Sequence, residues 1–213
     1  MNFLVTAGPT REPIDPVRFV SNRSTGRMGY AVAEAALAAG HAVRLVSGPV
    51  ELPPPSPGIA LVRVTTAADM LAAVKENLPW CDWLVMAAAV ADWRPAHCAP
   101  LKLKKSDGPP QIAWEPTPDI LRTIAPLKRP GQRFCGFAAE TDHLARNARA
   151  KLRAKHLDAI AANDVSLPDR GFASAQNAIT LYLADGKKFS IPLASKIQCA
   201  KTLIEALEKF GTT

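Results

Sequence analysis

The sequence predicts a three-layer α/β fold, with a mostly parallel sheet, helices on both faces and a C-terminal antiparallel hairpin. Short apolar, β-branched runs alternate with longer Ala-rich stretches, which is the order expected of βαβ units. The run at residues 83–89 is almost continuously apolar, as in a central parallel strand buried on both sides. Near the C-terminus, the turn signal Asp185-Gly186 separates two strand-like segments.

The individual elements can be placed in chain order. The strand at residues 3–7 stops at a Gly-Pro pair, and the Ala-rich helix at residues 30–39 is ended by Gly40. Five prolines within residues 48–58 predict an extended connector. Further strands are predicted at residues 42–46, 59–64, 83–89, 133–139, 158–162, 178–183 and 187–192. Further helices are predicted at residues 66–78, 119–127, 142–156 and 195–210.

The unusual polar segments each follow a predicted strand. These segments are residues 8–11, 88–92, 136–141 and 163–164. Right-handed crossovers bring the carboxyl ends of parallel strands to one edge of the sheet, where open α/β sheets bind ligands at the switch in strand order. We therefore predict a Rossmann-like sheet in which the first strand and the strand at 83–89 flank a ligand crevice.

Composition limits the class of protein. At 213 residues, with 48% hydrophobic and 6% aromatic content, the chain suits a single α/β domain over residues 1–213. Lysine and arginine exceed aspartate and glutamate by 26 − 19 = 7, which favours an anionic partner such as a nucleotide, a nucleic acid or an acidic lipid. Nucleic acid is disfavoured, because the basic residues are dispersed except at residues 102–105 and 146–155, and no aromatic-rich strand motif accompanies them.

The sequence also indicates a compartment. The four cysteines form no C-x-x-C pair, and the four histidines lack metal-ligand spacing. No basic leader opens the sequence, and no apolar run approaches the length of a membrane span. We expect a soluble cytoplasmic protein with free thiols and no membrane partner.

The polar loop before the first helix is the leading candidate for a ligand site, because loops of this length are uncommon in compact domains unless they are functional or disordered. It carries Arg11, Asn22 and Arg23, and Ser24-Thr25-Gly26 would place hydroxyls and backbone N–H groups at a helix N-terminus, which favours anions. The alternative is a Ser/Thr helix cap in a solvated loop, but a cap needs one hydroxyl and not this cluster.

Other motifs have both structural and functional explanations. Asp92 follows the central strand, where it would form an Asx-turn or contact a nucleotide. Core packing alone would explain Phe137 in GFAAET. Lys151 and Lys155 share one helix face and repel each other unless an anion joins them; the alternative is a solvated face.

Several of these motifs together resemble the phosphopantothenate–cysteine ligase family. Residues 7–29, AGPTREPIDPVRFVSNRSTGRMG, are similar to the opening of these enzymes. Further family motifs follow in the same order, as AAAVADWRP, KLKK, TPDI, GFAAET and the two lysines before LDAIAAND. The resemblance reaches the final helix. In TPDI, Thr117 or Asp119 would cap a helix. The family usually has asparagine in place of Thr117, so the resemblance implies backbone contacts there.

The resemblance implies a two-step, magnesium-dependent ligase of coenzyme A biosynthesis. CTP would activate the carboxylate of 4′-phosphopantothenate as an acyl-cytidylate with release of pyrophosphate, and the amine of L-cysteine would then displace CMP. Such chemistry needs cations and donors around phosphates and no protein nucleophile. The resemblance further implies homodimers and a flavin-dependent decarboxylase as a fused domain or partner.

Pattern and resemblance together assign the site residues. Catalytic roles fall to Asn22 and Lys102, and substrate binding to Arg11 and Asn22. Metal ligands are not indicated. The nucleotide would contact Gly8, Ser24, Thr25, Gly26, Ala88, Ala89, Asp92, Lys102, Thr117, Pro118, Asp119, Ile120, Phe137, Lys151 and Lys155.

Residues 93–118 are predicted to form a flap. Its centre, residues 100–110, is bounded by prolines, contains a Ser-Asp-Gly turn signal and carries Lys102, Lys104 and Lys105. A solvated basic loop is the alternative. The resemblance favours closure over a bound triphosphate, with Lys102 steadying the charge that develops during cytidylyl transfer.

Two other functions fit an α/β fold of this kind. One is an NAD(P)-dependent oxidoreductase, and the other is a non-catalytic nucleotide-binding module. Against the first, the sequence lacks G-x-G-x-x-G after the first strand, lacks Y-x-x-x-K and has no acidic residue ending the second strand. Two ordered anion sites facing one crevice argue against the second.

Overall fold

The computed structural model describes residues 1–167, 171 and 174–211. No helix in these ranges has the length and apolar character needed to cross a membrane. The strands are β1 Asn2–Ala7, β2 Arg11–Pro13, β3 Phe19–Ser21, β4 Ala42–Ser47, β5 Ile59–Arg63, β6 Trp83–Met86, β7 Trp93–Pro95, β8 Trp114–Pro116, β9 Arg133–Glu140, β10 Ala159–Asp164, β11 Gln176–Leu183 and β12 Lys188–Ser195. The helices are α1 Arg27–Ala38, α2 Ala67–Asn77, α3 Ile120–Ile124, α4 Leu144–Ala154 and α5 Lys196–Gly211.

An eight-stranded sheet forms the centre of the fold, in the order β12-β11-β10-β9-β6-β1-β4-β5. Six neighbouring strands of this sheet pair in parallel, namely β10, β9, β6, β1, β4 and β5, and Phe3 of β1 lies opposite both Val43 and Trp83. Strands β11 and β12 add an antiparallel hairpin next to β10. The chain builds outward from β1 to β5, returns to the centre and builds outward again from β6. The order therefore switches between β1 and β6, which confirms the predicted Rossmann-like arrangement.

Alternate strand residues supply two hydrophobic layers, which gives the three-layer architecture. Phe3 and Trp83 point to the face covered by α1 and α5. Leu4 and Leu84 point to the opposite face, which is covered by α2, α3 and α4. Both faces of the central strands are thus buried, which explains why these strands are apolar throughout.

The first helix packs very closely against the first strand. A Cβ atom added at Gly29 would lie 2.5 Å from the Cβ of Ala7 and 2.8 Å from the carbonyl oxygen of Thr6. Glycine at this position therefore allows the N-terminus of α1 to approach the carboxyl end of β1.

The predicted elements occur where expected, with shifted ends. Helix α1 begins at Arg27, earlier than predicted, because Gly26 reverses the chain with a left-handed φ of 77°. Strand β6 ends at Met86, earlier than predicted. The chain beyond it bends towards the loop after β1 and makes an isolated bridge between Pro9 and Ala89.

Two short antiparallel ladders lie in the opening loop and in the 93–118 segment, where the sequence predicted no strand. Strands β2 and β3 pair within the opening loop, and β7 and β8 pair at the two ends of the 93–118 segment. Each strand has only three residues, and Pro13, Pro95 and Pro116 lie within them. Such strands are too short to show a two-residue period, and proline normally argues against a strand.

Candidate functional site

A cavity of about 650 Å³ opens at the carboxyl edge of the sheet, beyond the ends of β1 and β6. It brings together most of the side chains that the sequence singled out. Gly8, Arg11 and Lys102 are not part of its lining. The predicted site residues that do line it are Asn22, Ser24, Thr25, Gly26, Ala88, Ala89, Asp92, Thr117, Pro118, Asp119, Ile120, Phe137, Lys151 and Lys155.

Hydrogen bonds join the loop after β1 to the loop after β6, and residues 87–92 of the second loop form the base of the cavity. The backbone N–H of Thr10 donates to Ala89 O at 3.3 Å, and the N–H of Ala89 donates to Gly8 O at 2.9 Å. The fully buried hydroxyl of Thr10 accepts from the N–H of Ala91 at 3.0 Å. Gly8 therefore supports the cavity base through its carbonyl.

The N-terminus of α1 faces the cavity without a capping side chain. The cap position is Gly26, so the predicted alternative of a simple Ser/Thr cap is wrong. The hydroxyl of Ser24 accepts from the N–H of Gly26 at 3.3 Å, and the amide of Asn22 donates to Ala89 O at 2.9 Å. Within the described part of the chain, no side chain caps the first N–H groups of α1, so they can donate to an anion.

The opposite wall is held by the TPDI segment. The hydroxyl of Thr117 donates to Ala91 O at 2.5 Å, and its backbone N–H donates to Asp92 O at 2.9 Å. The cap of α3 is Asp119, whose carboxylate accepts from the N–H of Arg122 at 3.1 Å. Thr117 is thus used to fix the loop that carries Asp92, and not as the cap.

The two lysines of α4 have partners in the protein. Lys151 donates to the carbonyl oxygen of Phe137 at 2.8 Å, and Lys155 forms an ion pair with Asp119. Burial lowers the pKa of Lys151, and Glu140 partly offsets this effect. For Asp119 burial acts to raise the pKa, but the hydrogen bonds from Lys155 and the N–H of Arg122, together with the charges of these two residues, outweigh it and the net pKa is lowered. The expected repulsion between the lysines is therefore already reduced before any anion binds.

Sequence reasoning missed the polar residues on the α1–α5 side of the cavity. Arg27, Asn177 and Lys196 line it, and the last two are buried. Burial, reinforced by the nearby positive charge of Arg27, lowers the pKa of Lys196 to about 8. The one signal in the sequence was a lysine in the first turn of a helix, where the helix dipole disfavours a positive charge.

Two of the assigned cations lie away from the cavity lining. The guanidinium of Arg11 lies over the ring of Phe19, 4.6 Å from its centroid. Lys102 is exposed, in a segment whose neighbour Leu103 donates from its N–H to the buried carboxylate of Asp15 at 3.1 Å. The side chain of Arg18 donates to Leu103 O at 2.6 Å. The roles assigned to Arg11 and Lys102, and flap closure, stay predictions.

Fold and cavity together define an α/β protein with a cavity, lined in part by cationic side chains, at the switch point of its sheet. The comparison with protein families then gives the family. The model of the DNA/pantothenate metabolism flavoprotein C-terminal domain matches residues 1–210, and the chain belongs to this family.

Individual relatives agree with the family assignment. The coenzyme A biosynthesis bifunctional protein CoaBC of Escherichia coli K12 is 45% identical over 210 residues, which cover 97% of this chain and 51% of the relative. CoaBC of Vibrio vulnificus CMCP6 is 44% identical over 209 residues, covering 97% and 52%. The chain thus spans about half the length of the curated relatives it matches.

A solved structure has the same fold. The crystal structure of the C-terminal domain of CoaBC is 40% identical, covers 98% of this chain and 94% of its own, and has a TM-score of 0.83. The resemblance inferred from the sequence motifs is confirmed.

The hydroxyl of Thr10 should be needed to hold the cavity base together. Replacing Thr10 with valine keeps the shape but leaves the buried N–H of Ala91 without its acceptor. We expect Thr10→Val to lower the free energy of unfolding by about 1–3 kcal/mol, measured by urea denaturation. Thr10→Ser keeps the hydroxyl and serves as the control. Equal stability of Thr10→Val and wild type would show that the hydroxyl is dispensable.

Proposed function

We propose that the chain is a phosphopantothenate–cysteine ligase that uses CTP. The observation that supports this is the single cavity that gathers residues from the opening loop, AAAVAD, TPDI, GFAAET and the α4 lysines, all motifs of that family. The CoaBC relatives are named for coenzyme A biosynthesis, the pathway to which such a ligase belongs.

In the first step, an oxygen of the 4′-phosphopantothenate carboxylate attacks the α-phosphorus of CTP. The bond from that phosphorus to the bridging oxygen breaks, and pyrophosphate leaves with the electron pair. Lys151, Lys155 and the N-terminus of α1 would stabilise the phosphate charge from two sides of the cavity. The protein acts by positioning and electrostatics, so no nucleophilic side chain is required.

In the second step, the amine of L-cysteine attacks the acyl carbon of the acyl-cytidylate. The bond between that carbon and the CMP oxygen breaks, and the amine loses a proton as the amide forms. Asn22 lies at the cavity with an amide that both donates and accepts, and its Nδ2 is already fixed on Ala89 O. We assign it to the acyl phosphate, whose charge distribution changes in both steps.

Magnesium fits this site as an ion carried by the nucleotide. Among the residues that the structure describes, no group of three or more His, Cys, Asp or Glu could hold a metal. Asp119 is paired with Lys155, whereas Asp92 lies exposed in the cavity lining. Phosphate oxygens and water would therefore supply most ligands, with Asp92 as the protein ligand; the bound ion would neutralise phosphate charge.

We also propose a cytoplasmic homodimer with a decarboxylase as fused domain or partner. The four cysteines are free thiols, which suits a reducing compartment. Phe19, Trp93 and Trp114 of the two short ladders are 48%, 57% and 48% exposed, an apolar surface that a second copy of the chain would cover.

Pyrophosphate release tests the function. Release should require 4′-phosphopantothenate together with a nucleoside triphosphate, and added L-cysteine should convert the intermediate to amide. CTP should support faster turnover than ATP. Equal or faster turnover with ATP would contradict the CTP assignment. An NAD(P)-dependent absorbance change without pyrophosphate would instead support the oxidoreductase.

Asn22→Asp should cut the overall rate by several orders of magnitude, because it puts a negative charge beside the acyl phosphate and removes the donor to Ala89 O. Steady-state amide formation measures the effect, with thermal melting as the check on folding. Asn22→Ala, which removes the amide without adding charge, should be less severe. Near-normal amide formation by a folded Asn22→Asp protein would remove Asn22 from the mechanism.

Lys102→Gln should slow acyl-cytidylate formation far more than it weakens nucleotide binding, because a contact made mainly in the transition state affects kcat. Lys104→Gln, two residues along the same exposed segment, is the matched control. Proteolysis at residues 102–105 should also slow when CTP, magnesium and 4′-phosphopantothenate are bound. Normal turnover of Lys102→Gln together with ligand-independent cleavage would show that the segment is only a surface loop.

A further inference from the structure

The cavity has cationic residues on two sides, and only one side was recognised from motifs. Lys151 and Lys155 belong to α4, which packs on one face of the sheet. Helices α1 and α5 pack on the other face, and Arg27 and Lys196 are their first residues. Together with Asn177 of β11, these two cations line the same cavity. We call Arg27, Asn177 and Lys196 the α1–α5 corner.

Lys196 is placed where a positive charge is disfavoured. Only 7% of the surface of this residue is exposed. Its ammonium group donates to the carbonyl oxygen of Gly171 at 2.9 Å, which satisfies a hydrogen bond but does not neutralise the charge. Arg27 adds a like charge, and the N-terminal end of α5 adds the positive end of a helix dipole. An anion in the corner would be attracted by both cations and by the N-terminus of α5, and these attractions would offset the three unfavourable effects.

The third member of the corner can also donate to an anion. Asn177 is 3% exposed, and its Nδ2 lies 3.8 Å from the Sδ atom of Met28. A thioether is a weak acceptor, so Nδ2 of Asn177 loses little if a phosphate oxygen replaces this sulfur as its acceptor. Its Oδ1 is held by Nδ2 of Asn163 and by the N–H of Ala178, which fixes the orientation of the amide.

We propose that the α1–α5 corner is a phosphate subsite in which Lys196 and Arg27 bind a phosphoryl group. The inference rests on the proposed function, which brings two phosphorylated substrates into one cavity. The α4 lysines are already partly balanced by Asp119, so they do not offset the charge of both substrates. A second cationic group on the opposite face would bind the additional phosphate.

Two sources could supply this phosphate. One is the terminal phosphates of the nucleotide, which depart as pyrophosphate after the α-phosphorus is attacked. The other is the 4′-phosphate of phosphopantothenate. The two ligands can be titrated separately, so one experiment tests the subsite and identifies its occupant.

The test is titration calorimetry on the full chain with magnesium pyrophosphate and with 4′-phosphopantothenate. Lys196→Gln should lower the affinity for one of the two ligands by about 10- to 100-fold, the range expected for loss of a hydrogen bond to a charged group. Lys196→Arg keeps the charge and should recover most of the affinity. Lys201→Gln is the matched control, because Lys201 lies on the same helix with an exposed side chain.

Unchanged affinity of Lys196→Gln for both ligands would overturn the proposal, as would equal losses in Lys196→Gln and Lys201→Gln. If Lys196→Gln does not fold, the exposed Arg27 provides the second test. Arg27→Gln should weaken the same ligand selectively, and normal affinity for both ligands would overturn the subsite. A wild-type chain that binds a phosphate ligand through Lys196 but forms no amide would overturn the proposed function and leave the subsite standing.

Discussion

The site depends on the hydrogen-bonded contact between the loops that follow β1 and β6. These strands are neighbours only because the chain returns to the centre of the sheet after β5. Beyond the ends of β1 and β6, hydrogen bonds between Gly8, Thr10 and Ala89 join the two loops. This contact supports residues 87–92, which line the cavity, and Gly29 lets the N-terminus of α1 lie close to the end of β1 beside them.

This arrangement also determines the distribution of charge. Crossovers on both faces of a parallel sheet bring helix N-termini and the residues near them to the same edge. Arg27 and Lys196 lie at such N-termini on one face, whereas Lys151 and Lys155 lie at the C-terminal end of α4 and approach the cavity from the other face. A phosphorylated ligand between them would interact with positive charge from two directions, and the buried position of Lys196 would strengthen that interaction.

The fold was predictable because the strands are strongly apolar and the crossovers follow a fixed hand. Motif order likewise led to the cavity residues of the opening loop, AAAVAD and TPDI. The three-residue ladders were missed because a two-residue period needs more residues to appear. Lys196 was missed because no motif was recognised in the sequence of the last helix. Its N-terminus reaches the cavity only because β12 runs parallel to the central strands, a consequence of two successive antiparallel pairings.

The position of Lys102 follows from interactions outside the cavity. The buried carboxylate of Asp15 accepts from the backbone of Val17 and Leu103 and from the side chain of Arg18. Burial alone would raise its pKa, but these donors hold the pKa well below the usual range, so the carboxylate stays charged. The carboxylate of Asp15 thereby connects the turn between β2 and β3 to the segment that carries Lys102. Movement of Lys102 towards a triphosphate must either break the contacts of Leu103 or carry this turn with it.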